Sequence, residues 1–145
     1  MYFVDRDRIE LTLQYLERQI RTFQGQSHWE SELELLALER IIQTSIEAVL
    51  DVGNAMIDGF IMRDPGSYDD IIDIMLDEKV ISEEMELMFK QVLPLRKALV
   101  QNYISVEHSA IAQTFKDYSR AFEIFPEAVR NYLLNELGPV SAFKN

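Results

Sequence analysis

The stretch from residue 31 to residue 60 most constrains the fold, because its apolar residues keep a helical spacing without a clear break. One apolar stripe comprises Leu35, Leu38, Ile42, Ile46, Val49, Gly53, Met56 and Phe60, and Ile41, Ala48, Val52 and Ala55 widen it. A helix this long and this broadly apolar contacts neighbours on more than one side. We therefore predict an all-α, single-domain helical bundle of five to six helices, built around this central helix and spanning residues 1–145.

Capping and turn residues divide the remainder of the chain into shorter helices. Asp5, Ser67 and Ser82 are expected to cap three of them, and Pro94 is expected to bend or split the fourth. Strand signals are absent. The predicted helices are 5–24, 31–60, 67–78, 82–103 with the bend at Pro94, 107–124 and a C-terminal helix 126–138 closed by Gly138 and Pro139, with a brief extended break after Tyr103.

Composition excludes several classes of site. The chain has no cysteine, which rules out disulfides and thiolate metal sites, and its two histidines are too few for a zinc centre or a Ser-His-Asp triad. It has no glycine-rich phosphate loop, so we expect no metal and no cofactor. The N-terminus lacks signal-peptide features and no apolar segment is long enough to span a bilayer, so we expect a cytoplasmic protein without membrane contact.

The distribution of charge points to one segment. The chain carries 25 acidic residues and a formal charge of −11, yet Leu87 to Val106 contains no Asp or Glu. The same segment holds Lys90, Arg96 and Lys97. A phosphate can approach here without meeting carboxylates from its own segment. A core-facing helix would also lack acidic residues, so the pattern alone does not decide between the two interpretations.

Helical geometry places Arg96 at the edge of the core. At about 100° per residue, Arg96, Val100 and Tyr103 share one face of a regular helix, beside an apolar stripe. An arginine in this position needs a carboxylate, a carbonyl or an external anion as its partner. Gln101 lies roughly 140° away around the same helix. The apolar stripe is Met88, Val92, Leu95 and Leu99.

The spacing Arg96, four residues, Gln101, one residue, Tyr103 resembles the Arg-x4-His-x-Tyr signature of the HepT-like branch of the HEPN superfamily. The landmarks that support this resemblance extend over roughly residues 30–125. They are the central-helix segments Leu38-Glu39-Arg40 and Asp51-Val52-Gly53-Asn54, the turn Asp64-Pro65-Gly66-Ser67-Tyr68-Asp69-Asp70 and the turn Asp77-Glu78-Lys79-Val80-Ile81-Ser82. The resemblance implies a small helical RNase-type toxin, paired with a minimal nucleotidyltransferase as antitoxin.

The resemblance also implies residue roles. Arg96, Gln101 and Tyr103 would occupy the catalytic positions, at a cleft between the two subunits of a homodimer. Lys90, Lys97 and Asn102 would contact the RNA, and Tyr103 would be the residue that the partner enzyme nucleotidylates. In place of the family's histidine stands Gln101, which cannot accept a proton at a useful pH. We therefore expect an ablated or severely weakened nuclease.

Two other functions stay open on sequence grounds. One is a catalytically inactive, homodimeric binding module for a nucleic-acid or protein partner, and the other is an acidic scaffold without nucleic-acid contact. His108 follows Arg96 by twelve residues and does not fill the vacant position of the motif. Arg40, Asp51 and Asn54 share a polar side of the central helix, where charge pairing is the expected role.

Overall fold

A computed structural model describes residues 3–138, which form seven α-helices, one 3-10 turn and no strand. The predicted all-α bundle is therefore confirmed. None of the helices in this range has the length and apolar character needed to cross a membrane. The helices are α1 Arg6–Gln24, α2 Glu32–Gly59, α3 Tyr68–Asp77, α4 Glu83–Val92, α5 Pro94–Val100, α6 His108–Tyr118 and α7 Arg120–Leu137, with the 3-10 turn at Tyr103–Ser105.

The long helix α2 is the central element, as its apolar arc predicts. It packs against α1, α3, α5, α6 and α7, and residues on several of its sides are buried. Gly53 allows the close approach of α3, because a Cβ atom at this position would lie 2.6 Å from Cγ2 of Ile71. This contact explains why glycine stands in the middle of a helix despite its low helix propensity.

Three of the predicted N-caps are confirmed. The side chains of Asp5, Ser67 and Ser82 each accept a hydrogen bond from the backbone N–H three residues further along the chain. Each cap satisfies one of the backbone donors that a helix start leaves free. These caps set the first residues of α1, α3 and α4.

Pro94 splits the fourth predicted helix into α4 and α5. The backbone stays helical through Leu93, with φ −50° and ψ −40°, but Pro94 has no N–H with which to continue the hydrogen-bond ladder. The ladder resumes with a tighter bond from the Arg96 N–H to the Leu93 carbonyl, at 3.0 Å. Arg96 is thus the third residue of a new short helix.

The extended break predicted at residues 104–107 is wrong for its first two residues. Residues Tyr103–Ser105 form a 3-10 turn, closed by a 3.2 Å bond from the Ser105 N–H to the Asn102 carbonyl, and Val106 is the first extended residue. Because α5 ends at Val100, Tyr103 does not continue the helical face of Arg96 either. The turn carries Tyr103 out of the helix and into solvent.

The predicted boundary between the last two helices is also wrong. The chain bends at Ser119, and α7 begins at Arg120, so the helix expected at 126–138 starts six residues earlier. Pro126 lies inside α7, buried in the core, instead of opening the helix. Gly138 ends α7 with φ 77°, as predicted, while Pro139 lies outside the described residues.

Candidate functional site

The motif residues sit on α5 and on the turn that follows it. Helix α5 packs against α2, so its inner side is fixed by the central helix, with Leu99 buried. Its outer side leads directly into an exposed segment, Gln101–Ser105. Arg96 lies between these two sides, with 25% of its side chain exposed. The prediction of an arginine at the edge of the core is confirmed.

The partner of Arg96 is a carboxylate on the central helix. Its Nε donates a hydrogen bond to Oε1 of Glu47, which raises the pKa of Arg96. Its guanidinium carbon also lies 4.3 Å from the centre of the Tyr68 ring, at the start of α3. A guanidinium over an aromatic face is held by cation–π attraction. Two contacts from two other helices therefore fix the plane of the guanidinium.

The terminal nitrogens of Arg96 remain available. Neither Nη1 nor Nη2 makes a hydrogen bond within residues 3–138, because the contact to Glu47 uses Nε alone. The Nη donors of an arginine match the oxygens of a phosphate in a bidentate geometry. Arg96 can therefore bind an anion without first giving up Glu47.

Gln101, Asn102 and Tyr103 are all exposed, and their side chains make no hydrogen bond with the described part of the chain. Tyr103 is 66% exposed, and its neighbour Ile104 is 90% exposed. Gln101 can donate and accept hydrogen bonds but cannot take up a proton. The segment can therefore orient a ligand or contact a partner surface, whereas Gln101 cannot act as a general base.

The two lysines predicted to line the cleft differ. Lys90 donates a hydrogen bond to Asp73 of α3 and lies 3.6 Å from Glu86, and the contact with Asp73 raises the pKa of Lys90. Lys97 is exposed and makes no ion pair within the described range. Lys90 is thus engaged in the fold, while Lys97 is the cation that is free beside Arg96.

The segment from Leu87 to Val106 has no acidic residue, but acidic residues from another helix lie at the surface around Arg96. Helix α2 brings Glu47 to Arg96, and Asp51 follows one turn later. Both residues line a groove of about 330 Å³ between α1 and α2, together with Arg8 and Arg40. Burial raises the pKa of Asp51, and the carboxylate of Glu47 raises it further. An RNA phosphate at Arg96 would therefore meet two carboxylates as well.

Glu47 is the site residue that sequence reasoning missed. It lies 49 positions from Arg96, so the spacing within α5 gives no sign of it. The available signal was the polar side of α2, where Glu47 lies four residues before Asp51. A carboxylate on that side was the partner that an arginine at the core edge required.

His108 lies at a separate point of the bundle. Its Nε2 is 2.7 Å from Oε2 of Glu39 on α2, and it makes no hydrogen bond to Arg96, Gln101 or Tyr103. Within the described residues, no group of histidine and carboxylate side chains has a geometry suited to a metal ion. The chemistry available at the motif is therefore that of one guanidinium, one amide and one phenol.

Comparison with known proteins gives a family match and a similar bacterial protein. The model of the family described as "Ribonuclease HepT-like" matches residues 7–129. A Bacillus subtilis (strain 168) protein named "Putative RNase YutE" is 51% identical over 144 residues, covering 99% of this chain and 100% of that protein.

Two solved structures share the fold. The structure of YutE from Bacillus subtilis, described as a cytosolic protein of unknown function, superposes with a TM-score of 0.94 over 99% of this chain and 100% of that chain, at 51% identity. A chain from a toxin–antitoxin crystal structure with AMP-PNP gives a TM-score of 0.68 at 15% identity, over 84% of this chain and 95% of that one, which is a likeness of fold alone. The family match and the identity to the Bacillus protein confirm the resemblance, and the chain belongs to the HepT-like ribonuclease family.

Proposed function

We propose that this protein is the RNase-type toxin component of a toxin–antitoxin pair and that Arg96 binds the phosphate of its RNA. Membership of a ribonuclease family supports the RNase type, and the fold shared with a chain of a toxin–antitoxin complex supports the pairing. The partner would be a minimal nucleotidyltransferase acting as antitoxin. Because the formal charge of −11 repels RNA, contact requires local positive groups such as Arg96.

The observation that carries the proposal is the geometry of Arg96. Glu47 and Tyr68 hold the guanidinium in one plane, and its two terminal nitrogens have no partner within residues 3–138. A side chain that is already ordered and keeps unused hydrogen-bond donors can bind a ligand with little further loss of conformational entropy. Lys97, exposed on the same short helix, adds a second positive charge.

A homodimer would complete the site. Arg96 is half-buried on α5, whereas Gln101 lies beyond the end of that helix and is exposed, so one chain does not direct both at a single phosphate. A second subunit related by two-fold symmetry would bring the same pair of groups from the opposite side. The exposed side chains of Val100, Tyr103 and Ile104 provide the apolar surface that such a contact would cover.

Cleavage of RNA at this site would lack its general base. The 2′-hydroxyl of the ribose must lose a proton as its oxygen attacks phosphorus and the 5′-oxygen leaves, while a cation stabilises the charge on the phosphorane. Arg96 can supply the second function, but Gln101 cannot supply the first. The loss of general-base catalysis lowers the rate by about 10²–10⁴-fold. We therefore expect weak cleavage with RNA binding preserved.

Tyr103 would be the regulatory position. Its side chain is 66% exposed on a 3-10 turn, where another enzyme can reach the hydroxyl. Transfer of a nucleotidyl group to this oxygen, with release of pyrophosphate from the nucleoside triphosphate, would place a phosphodiester charge beside Arg96 and Lys97. That charge would compete with RNA for the same cations.

The test compares the wild-type protein with Arg96→Ala and Gln101→His on RNA, each assayed for binding and for cleavage. We expect Gln101→His to raise cleavage at least tenfold, because a histidine restores the general base. Arg96→Ala should abolish cleavage in both backgrounds. Arg18→Gln is the matched control, since Arg18 also stacks on a tyrosine, Tyr15, at 5.6 Å, but is exposed and lies outside the motif.

The outcomes separate the proposal from the second candidate function, a non-catalytic binding module. That function is favoured by two observations, the absence of a general base and the carboxylate already held by Arg96. RNA binding that depends on Arg96, without cleavage by Gln101→His, would support the module. RNA binding that is unaffected by Arg96→Ala, or no binding at all, would refute the proposed role of Arg96.

A further inference from the structure

A second cleft lies away from the motif, between the loop that joins α1 to α2 and the outer side of α6. Its volume is about 600 Å³, against about 330 Å³ for the groove beside Arg96. Clefts of this size accommodate small organic ligands. Trp29, His28 and Lys116 are among its lining residues, and none of the residues assigned to the RNA site is. We call it the tryptophan cleft.

An aromatic platform forms one wall of the tryptophan cleft. The ring of Trp29 stacks on Phe23 with 5.8 Å between centroids and an interplanar angle of 16°. Phe23 is itself buried and packs edge-on against Phe115 at 4.8 Å. The core therefore supports the indole from behind, while Trp29 stays partly exposed at the cleft. A supported indole is a stacking surface for a planar ring.

Neutral polar groups surround the platform. Three glutamines line the cleft, and each donates its amide to a carboxylate, so each keeps a carbonyl oxygen as a hydrogen-bond acceptor. Hydroxyl groups of Ser27 and Ser109 add donors. Together they match the mixed donors and acceptors on the edge of a nucleobase. The glutamine pairs are Gln24 with Glu123, Gln26 with Glu34 and Gln113 with Asp117.

One lysine of the tryptophan cleft can bind an anionic group, although the lining glutamines also hold the carboxylates of Glu34, Asp117 and Glu123. Lys116 lines it and makes no ion pair within residues 3–138. Glu30 is the one carboxylate among the lining residues, and it lies 3.9 Å from Nδ1 of His28. His108 also lines the cleft, and its Nε2 is paired with Glu39. The groove beside Arg96 contains Glu47 and Asp51 together with Arg8 and Arg40.

We propose that the tryptophan cleft binds a nucleotide, with the base stacked on Trp29 and the phosphate on Lys116. The glutamine carbonyls and serine hydroxyls would contact the edge of the base. The same chemistry is offered by a free mononucleotide and by one nucleotide of a single-stranded RNA. This site goes beyond the proposed RNase-type function and does not depend on it, because it shares no residue with the Arg96 site.

The position of the cleft relates it to the Arg96 site. Glu39, which holds His108, and Glu47, which holds Arg96, are both on α2 and are eight residues apart. At ~1.5 Å per residue, this separates the two carboxylates by about 12 Å along the helix. A short single strand could occupy both sites at once, in which case the cleft would select the base at one position of the RNA.

Trp29 is the only tryptophan in the chain, so its fluorescence reports on this cleft alone. The full-length protein is titrated with each of the four ribonucleoside monophosphates, with ribose 5-phosphate and with short single-stranded RNA. We expect saturable quenching by at least one monophosphate and no response to ribose 5-phosphate, which lacks a base. Binding by RNA at least tenfold tighter than by the monophosphate would identify the strand as the source of the ligand, and tighter binding by the monophosphate would identify the free nucleotide.

Two variants test the site itself. Lys116→Gln should weaken binding of the monophosphate about tenfold, and Arg18→Gln, which removes the same charge outside the cleft, should not. Ala112→Phe, which fills the cleft, should abolish the quenching while circular dichroism shows an unchanged helical content. Quenching that survives Ala112→Phe, an equal response to ribose 5-phosphate, or no saturable response to any monophosphate or RNA would overturn the proposal. If Ala112→Phe fails to fold, Ser109→Trp, measured by calorimetry, provides the same steric test.

Discussion

Arg96 and Arg130 are two half-buried arginines, with 25% and 26% of their side chains exposed, yet their surroundings differ. Arg130 on α7 uses all three guanidinium nitrogens, because Nε, Nη1 and Nη2 donate to Glu10 and Glu17 of α1 at 2.9–3.0 Å. Arg96 uses Nε alone and rests on the ring of Tyr68. The two arginines are therefore buried to the same extent, but they differ in how many of their guanidinium nitrogens donate hydrogen bonds.

The difference is between an arginine whose donors are all used and one that keeps donors without a partner in the described residues. The guanidinium of Arg130 joins two helices and has no nitrogen without a hydrogen bond. Its hydrogen bonds with Glu17 and Glu10 raise the pKa of Arg130 well above the ordinary value. A guanidinium with one acceptor and one aromatic face is held in position but keeps a free edge. We expect substitutions of Arg130 to act on stability and substitutions of Arg96 to act on binding.

The largest expected effect is on the free energy of unfolding. Arg130→Ala removes the connection between α1 and α7 and leaves Glu10 and Glu17 facing each other, so we expect a loss of about 1–2 kcal/mol after allowance for solvent screening. Arg96→Ala removes one partly exposed pair and one stacking contact, and should cost less than about 1 kcal/mol. Urea unfolding followed by circular dichroism measures both.

Arg130→Lys provides the internal control for that measurement. It keeps the charge but replaces the planar fork with a single ammonium group, so its stability should lie between those of the wild type and Arg130→Ala. If Arg96→Ala were as destabilising as Arg130→Ala, the distinction between the two arginines would be lost, and Arg96 would be another structural ion pair.

A smaller effect is expected on RNA affinity. Asp51 lies one turn from Glu47 and repels any phosphate bound at Arg96, so Asp51→Asn should tighten RNA binding about threefold, or about 0.6 kcal/mol. Glu10→Gln removes the same charge beside Arg130 and should leave the affinity unchanged beyond the general effect of net charge. Equal gains in both variants would mean that RNA senses only the overall charge of −11.

The fold was predictable wherever one local signal dominated. The apolar arc of α2 and the caps at Asp5, Ser67 and Ser82 act within a few residues, and they placed the helix starts within one residue. The bend at Ser119 carries no glycine or proline, and Pro126 carries a breaker signal that α7 tolerates in its buried interior. Tertiary packing determines both positions, and the periodicity of the sequence carries no information about that packing.

The candidate site was also predictable only where the signal lies within one helix. The position of Arg96 at the edge of the core and its need for a partner follow from spacing within one helix. Its actual partners, Glu47 and Tyr68, come from α2 and α3, and so does the partner of Lys90, Asp73. A single sequence records which residues need a contact but not which distant residue provides it. The segment from Leu87 to Val106 contains no carboxylate, but Glu47 reaches Arg96 from α2 for this reason.

The smallest expected effect is a difference in pH dependence between the two arginine sites. The hydrogen bond from Arg130 lowers the pKa of Glu10 below its ordinary value, so the stability that Glu10 contributes is present above about pH 4.3 and is lost as the pH falls through its folded-state pKa. Burial and the nearby Glu47 raise the pKa of Asp51, so its carboxylate opposes folding above its raised pKa, and protonation relieves this on acidification.

Urea unfolding at a series of pH values between neutral and acid therefore distinguishes the two sites by sign. Arg130→Ala should be less stable than the wild type at neutral pH, and the deficit should shrink below about pH 4.3, where Glu10 becomes protonated in the unfolded chain. Asp51→Asn should be slightly more stable than the wild type at neutral pH, and that gain should shrink over the acid range as the wild-type carboxyl takes up its proton. An Asp51→Asn protein that is less stable at neutral pH would show that the Asp51 carboxylate is a favourable partner of Arg8 and Arg96, and the groove beside Arg96 would then be a saturated network like that of Arg130.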